Sequence, residues 1–322
     1  MDEFEFIKSI KQQTYYESSL IKGIDDDAAV FQPAGYDVVT AVDTFVEDIH
    51  FSKKTTTYFQ TGYRALAANI SDMAAMGAYP KFYLVSVVVP NTLSDKHLLQ
   101  IYAGMQKLAS YYKIDLIGGD TVSGKQLVIS ITMIGYVPKG KARYRNLAKD
   151  NDIVFVTGTL GASSAGLHIL LNDLSSERNN DLIRKHQQPE PRVTFSTALQ
   201  DIDRLSLNDI SDGIANELYE IAEASNVTIT INDELIPIHP ELKQFSLEKQ
   251  NEWKYFGGED FELVGTVSPD DWLRIEQIAE KISLQVTKIG KVTYNKESNG
   301  QVFLIKNDKK FLLKKDGYVH LK

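Results

Sequence analysis

Aspartates set in apolar surroundings are the residues of this sequence best placed to do chemistry. Asp72 lies in Asn69 to Gly77, N-I-S-D-M-A-A-M-G, at the end of an apolar run that begins near Tyr63. From Ala65 to Met76 the Ala, Leu, Ile and Met residues recur at helical spacing, which predicts a helix buried on much of its circumference. A carboxylate in such a setting is costly unless it is protonated, paired with a cation or bound to metal. Arg64, two turns back, is a candidate local partner. Asp43, Asp120 and Asp209 share a second context, because each closes or directly follows an apolar strand, in V-V-T-A-V-D, D-L-I-G-G-D and L-S-L-N-D. Asp27, Asp212 and the Glu259-Asp260 pair of G-G-E-D extend the set. Strand ends line one rim of a sheet, so such carboxylates can converge, and converging like charges call for cations among them. Oxygen-only donors, with no Cys and few His, point to Mg²⁺ rather than Zn²⁺. Taken singly, each reads as an Asx-turn or a helix cap, Asp212 before Gly213 above all.

Magnesium suggests phosphoryl chemistry, and phosphoryl chemistry needs a phosphate cradle. Gly119 to Lys125, G-D-T-V-S-G-K, fits G-x-x-x-x-G-K but is not a P-loop. Gln126 stands where the Mg²⁺-ligating hydroxyl belongs, and the residues beyond alternate as a strand instead of opening a helix. The protein-kinase motifs H-R-D and D-F-G are absent. Gly158-T-L-G-A-S-S, between a strand and a helix, is either an anion site at the helix N-terminus or an ordinary tight turn.

The elements that must position these residues read as an α+β order in two domains. In the first half, strands at 37–42, 81–90, 114–117 and 126–137 alternate with the helix of Asp72 and a second helix at 98–112. Residues 139–151, basic and turn-rich, read as a linker between an N-terminal domain, 1–138, and a C-terminal domain, 152–322. The second half offers strands at 153–157, 205–210, 227–231, 261–267 and 284–292, two short C-terminal strands, and a helix at 214–224. Ser175 to Pro191 is polar and reads as a surface excursion.

The chain has 322 residues, 43% hydrophobic and 24% charged, the composition of a soluble globular protein. No apolar run reaches the roughly 18 residues a membrane helix needs, and the first residues lack signal-peptide character, so the expected address is the cytoplasm. A net charge of −8 argues against nucleic-acid and anionic-membrane partners. It leaves room for a phosphate-bearing small molecule held through divalent cations.

In order along the chain, G-I-D-D-D-A-A-V-F, A-V-D-T-F-V-E-D-I-H-F, R-A-L-A-A-N-I-S-D-M-A-A-M-G-A-Y-P, I-G-G-D-T, V-T-G-T-L-G-A-S-S-A-G-L, D-I-S-D-G-I and G-G-E-D-F-E-L together resemble the thiamine-monophosphate kinases. That family belongs to the aminoimidazole-ribonucleotide-synthetase-like superfamily of ATP-binding enzymes. The resemblance implies an N-terminal four-stranded mixed sheet with helices that pairs across a homodimer, and a C-terminal α+β domain. It implies transfer of the ATP γ-phosphoryl group to thiamine monophosphate, by direct in-line attack with several Mg²⁺ ions; a need for K⁺ is left open. Carried over residue by residue, Asp27, Asp43, Asp72, Asp120, Asp209 and Asp212 resemble the Mg²⁺ ligands, with Asp72, Asp120, Asp209 and Asp212 central to catalysis. Gly119, Asp120, Arg145 and Ser211 match ATP-contacting positions, and His50, Gly258 and Glu259 the substrate side.

The sequence departs from that pattern in places. Asp25 stands where the family commonly has Gly, and Ala41-Val42 replaces a hydroxyl pair before Asp43, so a metal ligand there is a backbone carbonyl such as that of Val42. Lys315 stands where an aromatic often stacks on the thiamine, with Tyr318 nearby as a substitute. The competing readings are another enzyme of the superfamily, such as aminoimidazole-ribonucleotide synthetase, and a non-catalytic nucleotide-binding regulator.

Overall fold

The structure is a computed structural model that describes residues 9–12, 14–22, 30–174 and 179–315. The chain divides into two compact units, Met1–Met73 with Ala78–Gly140, and Ala74–Gly77 with Lys141–Lys322. Both carry sheets and helices, an α+β architecture. Among the described residues no helix is long and apolar enough to cross a membrane.

In the first unit β1 (Leu20–Lys22) and β2 (Val30–Phe31) form a short antiparallel ladder. A four-stranded mixed sheet follows, built from β3 (Tyr36–Val46), β4 (Tyr79–Pro90), β5 (Asp115–Gly124) and β6 (Val128–Pro138) in the order β3-β6-β4-β5. β6 pairs antiparallel with both β3 and β4, while β4 and β5 run parallel. The period-2 pattern of β6 puts Ile129, Ile131 and Met133 into the core.

Helices α1 (Tyr58–Ala75) and α2 (Asp95–Tyr112) supply the rest of that core, with Leu66, Ile70 and Met73 of α1 and Ile101 and Met105 of α2 fully buried. Helix α2 starts at Ser94, whose hydroxyl accepts the N–H of His97, and stops at Lys113 in the left-handed conformation. The two helices meet backbone to backbone at a reciprocal pair of glycines. A Cβ on Gly62 would lie 1.9 Å from the Ile101 carbonyl oxygen, and one on Gly104 would lie 1.9 Å from that of Phe59.

In the second unit seven strands form one sheet: β7 (Ile153–Thr157), β8 (Leu205–Asp209), β9 (Thr228–Asn232), β10 (Leu263–Val267), β11 (Val286–Thr293), β12 (Val302–Lys306) and β13 (Lys309–Leu312). Their order is β13-β12-β9-β11-β7-β10-β8, and the pairing is antiparallel except between β12 and β9. β7, β8 and β10 are buried at every position, as their continuous apolar runs require. Its helices are α3 (Ala162–Leu171), α4 (Asn180–Gln187), α5 (Val193–Ala198), α6 (Ile214–Ser225), α7 (Leu247–Phe256) and α8 (Pro269–Lys281).

Several sequence expectations are corrected here. Asp43 and Asp120 do not close their strands. β3 continues three residues past Asp43 because β6 offers it partners down to Val46↔Val128, and β5 continues to Gly124 because β4 pairs with it as far as Pro90. Ser175 to Pro191 is not only a surface excursion: within it α4 buries Leu182 in a cluster with Ala165 and Ile169 of α3. Helices α7 and α8, for which no helix was read in the sequence, begin at Ser246 and Ser268, whose hydroxyls accept the N–H groups of Lys249 and Asp271.

Replacing glycine by alanine inside a helix ordinarily gains about 1 kcal/mol. At the α1–α2 crossing the sign reverses, and Gly104→Ala is expected to lose about 2 kcal/mol or more as the helices are forced apart. Urea denaturation reads this; a stabilised Gly104→Ala protein would contradict the close crossing.

Candidate active site

In the first unit the candidate carboxylates lie on different elements. Asp43 sits inside β3 opposite Ile131 and is partly buried. Asp120 sits inside β5 opposite Ser86 of β4, is exposed, and accepts the N–H of Thr121 at 2.9 Å through its own Oδ1. Gly119 beside it is required by the parallel pairing, because a Cβ there would lie 2.0 Å from the Val85 carbonyl oxygen. Asp72 lies in the last turns of α1, with Ser71 and Met73 fully buried on either side and its own side chain partly exposed. Val42 is 62% exposed on β3.

His50, half-buried, is tied into the first unit. Its Nδ1 accepts the N–H of Val46 at 3.1 Å, its ring stands 5.4 Å from that of Phe45, and its carbonyl receives the buried Arg64 guanidinium at 3.5 Å. Asp27 and Tyr318 lie outside the described residues.

In the second unit the candidate residues gather where β8 ends. Asp209, 4% exposed, is the last residue of the strand and pairs with Leu263 of β10. The chain turns through Ser211 and Asp212 into α6. Asp212 is not the cap of that helix: Gly213 holds the cap position at φ 101, and a Cβ there would lie 2.7 Å from the Phe256 carbonyl carbon. Glu217, in the first turn of α6, reaches back and accepts the N–H of Asp212 at 3.2 Å. Burial pushes the Glu217 carboxyl well above the carboxylate range, and the charges of Asp209, Glu220 and Asp212 push it further. Asn208 donates to both Glu217 and Glu220 and accepts from Arg145 Nε at 3.1 Å. Arg145 also pairs with Glu220 at 3.1 Å, while Ser206 and Ser225 donate to its carbonyl. Arg145 is therefore a placed residue, tied by side chain and backbone to β8 and α6.

The segment G-G-E-D-F-E-L lies against the same turn. Glu259 N–H donates to the Ser211 carbonyl at 2.7 Å, Phe261 N–H to that of Ile210 at 3.0 Å, and Ile210 N–H to that of Glu262 at 2.8 Å. Gly258 passes so close that a Cβ would lie 2.6 Å from the Ser211 oxygen. Glu259 and Phe261 both hold left-handed φ, 61° and 50°, at roughly 1 kcal/mol or more each for residues with a Cβ. Between them Asp260 accepts the N–H groups of Gly161 at 2.7 Å and Ser163 at 3.0 Å. The anion position at the start of α3 is thus filled by a carboxylate of the chain itself, which resolves the two readings of Gly158-T-L-G-A-S-S. Removal from water pushes the Asp260 carboxyl up, against the pull of those two N–H groups. Glu262 is buried and held by Thr157 Oγ1 at 2.7 Å and by both arms of Arg192.

Gly119 to Lys125 runs along β5 and into the turn after it, without a helix, as expected of a segment that is not a P-loop. Lys315 pairs with Glu223 at 2.9 Å. The turn after β8 brings Asp209, Ser211, Asp212, Gly258 and Glu259 together, with Arg145 joined to it through Asn208. Sequence reasoning missed Asn208, Glu217, Arg192 and the anchoring role of Glu262. Glu217 had a local signal, an acid in the first turn of a helix that follows S-D-G; Arg192 had none, since its partner is 70 residues away. The candidate donors, Asp209 and Asp212 here and Asp43, Asp72, Asp120 and the Val42 carbonyl in the first unit, are all oxygen, the chemistry that Mg²⁺ takes. Among the described residues no three acidic or histidine side chains come together as a group that could hold a metal ion by themselves. Ions there would draw further oxygens from phosphate and water.

Comparison with known proteins shows the family of the chain. Residues 25–137 match the family model described as AIR synthase related protein, N-terminal domain, and residues 149–303 match the corresponding C-terminal domain. The chain is 46% identical to the thiamine-monophosphate kinase of Bacillus subtilis over 100% of both chains. The crystal structure of the thiamine-monophosphate kinase from Stenotrophomonas maltophilia superposes with a TM-score of 0.84 at 30% identity, covering 93% of this chain and 94% of that one. AaThiL complexed with AMPPCP and TMP superposes with a TM-score of 0.79 at 30% identity, covering 99% of this chain and 97% of that one.

Removing Arg192 would leave Glu262 a buried, uncompensated charge. Arg192→Met is expected to destabilise the protein by about 3 kcal/mol, with Arg192→Lys recovering part of the loss because it cannot form the two-armed contact. Equilibrium chemical unfolding measures both; equal stability of Arg192→Met and the parent would contradict the anchoring role.

Proposed function

The chain belongs to the thiamine-monophosphate kinase family, and from that premise we propose that it moves the γ-phosphoryl group of ATP onto thiamine monophosphate, giving thiamine diphosphate and ADP. The observation that carries the reading is full-length likeness to proteins of that name, one of them holding AMPPCP and TMP together. AMPPCP is an ATP analogue, so that relative binds a nucleotide and an acceptor at once.

A phosphate oxygen of thiamine monophosphate attacks the γ-phosphorus in line, a new P–O bond forms, and the bond to the ADP oxygen breaks. That oxygen is mostly ionised at neutral pH, its second pKa being about 6, so no strong general base is needed and none has to be found. The difficulty is repulsion between two polyanions and a protein of net charge −8. Bound Mg²⁺ ions neutralise phosphate charge and polarise the transferring group. Asp43, Asp72, Asp120 and the carbonyl of Val42 in the first unit, and Asp209 and Asp212 in the second, would hold such ions; Asp27 completes the set on resemblance alone.

Gly119, Arg145 and Ser211 are assigned to ATP, and His50, Gly258, Glu259, Lys315 and Tyr318 to thiamine monophosphate. The rigid placement of Arg145 on β8 and α6 supports its part, since a pre-ordered guanidinium loses little freedom on meeting a phosphate. A homodimer is proposed as well. Tyr36, Val38 and Val42 leave an apolar stripe exposed on β3, the edge strand of the four-stranded sheet, which a second copy could cover. Residues 139–151 are taken as the linker and the cytoplasm as the location.

³¹P NMR of a reaction with Mg-ATP and thiamine monophosphate is expected to show ADP and thiamine diphosphate in equal amounts, and neither with free thiamine. ATP consumption without a thiamine diphosphate signal would overturn the substrate assignment. Asp72→Asn is expected to fold as the parent does and to lose at least about 100-fold in kcat, some 2.7 kcal/mol of transition-state stabilisation. A parent-like kcat, or a loss accounted for by unfolding, would remove Asp72 from the metal set.

A further inference from the structure

Asp260 lies one residue beyond Glu259, and the loop around it is built as a clamp. Its neighbours in sequence are fastened to one side: Glu259 N–H to Ser211, Phe261 N–H to Ile210, and the Glu262 carbonyl to the Ile210 N–H. Its own carboxylate is fastened to another element, the first turn of α3, through Gly161 and Ser163. Gly161 occupies the cap position of α3 and brings no side chain to cap it, so Asp260 performs that task from 99 residues away. Glu259 and Phe261, on either side of this anchor, hold left-handed φ that residues with a Cβ avoid. Such a conformation persists only where surrounding contacts over-determine it.

We propose that Asp260 is a positioning residue: by binding the N-terminus of α3 it holds Glu259 in its left-handed conformation and so fixes the acceptor side of the site. The inference rests on the assignment of Glu259 to thiamine monophosphate, and goes beyond it by naming what aims that side chain. A helix cap alone would stabilise α3 and leave substrate preference untouched. A positioning residue changes how one substrate is held and not the other.

The test is Asp260→Asn, read two ways. Amide hydrogen exchange is expected to speed up at least about tenfold at Glu259 and Phe261 while β7 and β8 exchange as in the parent. KM for thiamine monophosphate is expected to rise about tenfold with KM for ATP within twofold. Parent-like exchange at Glu259 and Phe261 overturns the inference whatever the enzyme's substrate, so its failure is separate from failure of the proposed function. Faster exchange with both KM values unchanged, or both raised alike, overturns the positioning role and leaves Asp260 a cap. If Asp260→Asn cannot be purified folded, the double variant Glu259→Gly with Asp260→Asn replaces it, since glycine takes φ 61 without strain. Faster exchange at Phe261 than in Glu259→Gly alone is then expected, and equal exchange overturns the inference.

Discussion

Like-charge repulsion at the end of β8 is the constraint on which the second unit turns. Asp209, Asp212, Glu217 and Glu220 stand close enough that the Glu217 carboxyl is pushed upward by burial and by its three neighbours. A fold that gathers carboxylates in this way gives up stability unless something of opposite charge is bound there. Arg145 supplies part of that charge, and Asn208 bridges Arg145 to the acids through neutral hydrogen bonds. The raised Glu217 carboxyl relieves more of it by keeping its proton, and in the proposed reading bound cations would supply the remainder.

Three other carboxylates of the unit are balanced internally. Glu262 is matched by Arg192, Asp152 by Arg204, and Asp260 by the first turn of α3. These pairings occupy the groups that could otherwise have bound phosphate, the helix N-terminus after Gly158 above all. Beside these pairings lie Ser211, Asp212, Gly258 and Glu259, each half-buried, and Asp209, which is buried. In the proposed reading, stability and function divide among neighbouring carboxylates of one short segment, Glu259 serving the substrate while Asp260 and Glu262 anchor.

Much of this was legible in the sequence where the signal is local. The helix around Asp72, the strands β7 and β8, the order of the main strands with helices α1, α2, α3 and α6, and the rejection of a P-loop all follow from periodicity and from residues within a few positions of one another. Asp43 and Asp120 were misplaced at strand ends because strand length is set by partners: β6 carries β3 to Val46, and β4 carries β5 to Gly124. Asp212 looked like a cap because S-D-G before a helix usually is one, but Gly213 takes the cap position at φ 101. Arg192 and Asp260 were illegible in role, since their partners lie 70 and 99 residues away and nothing local marks them.

The central claim is that these carboxylates serve metal-bound phosphate. Calorimetric titration of the protein with AMPPCP, in Mg²⁺ and then in EDTA, tests it most directly. Binding in Mg²⁺ that weakens at least about 100-fold in EDTA, or about 2.7 kcal/mol, is the predicted result. Equal affinity in both would mean that the chain binds phosphate without metal, and the account of its aspartates would be wrong.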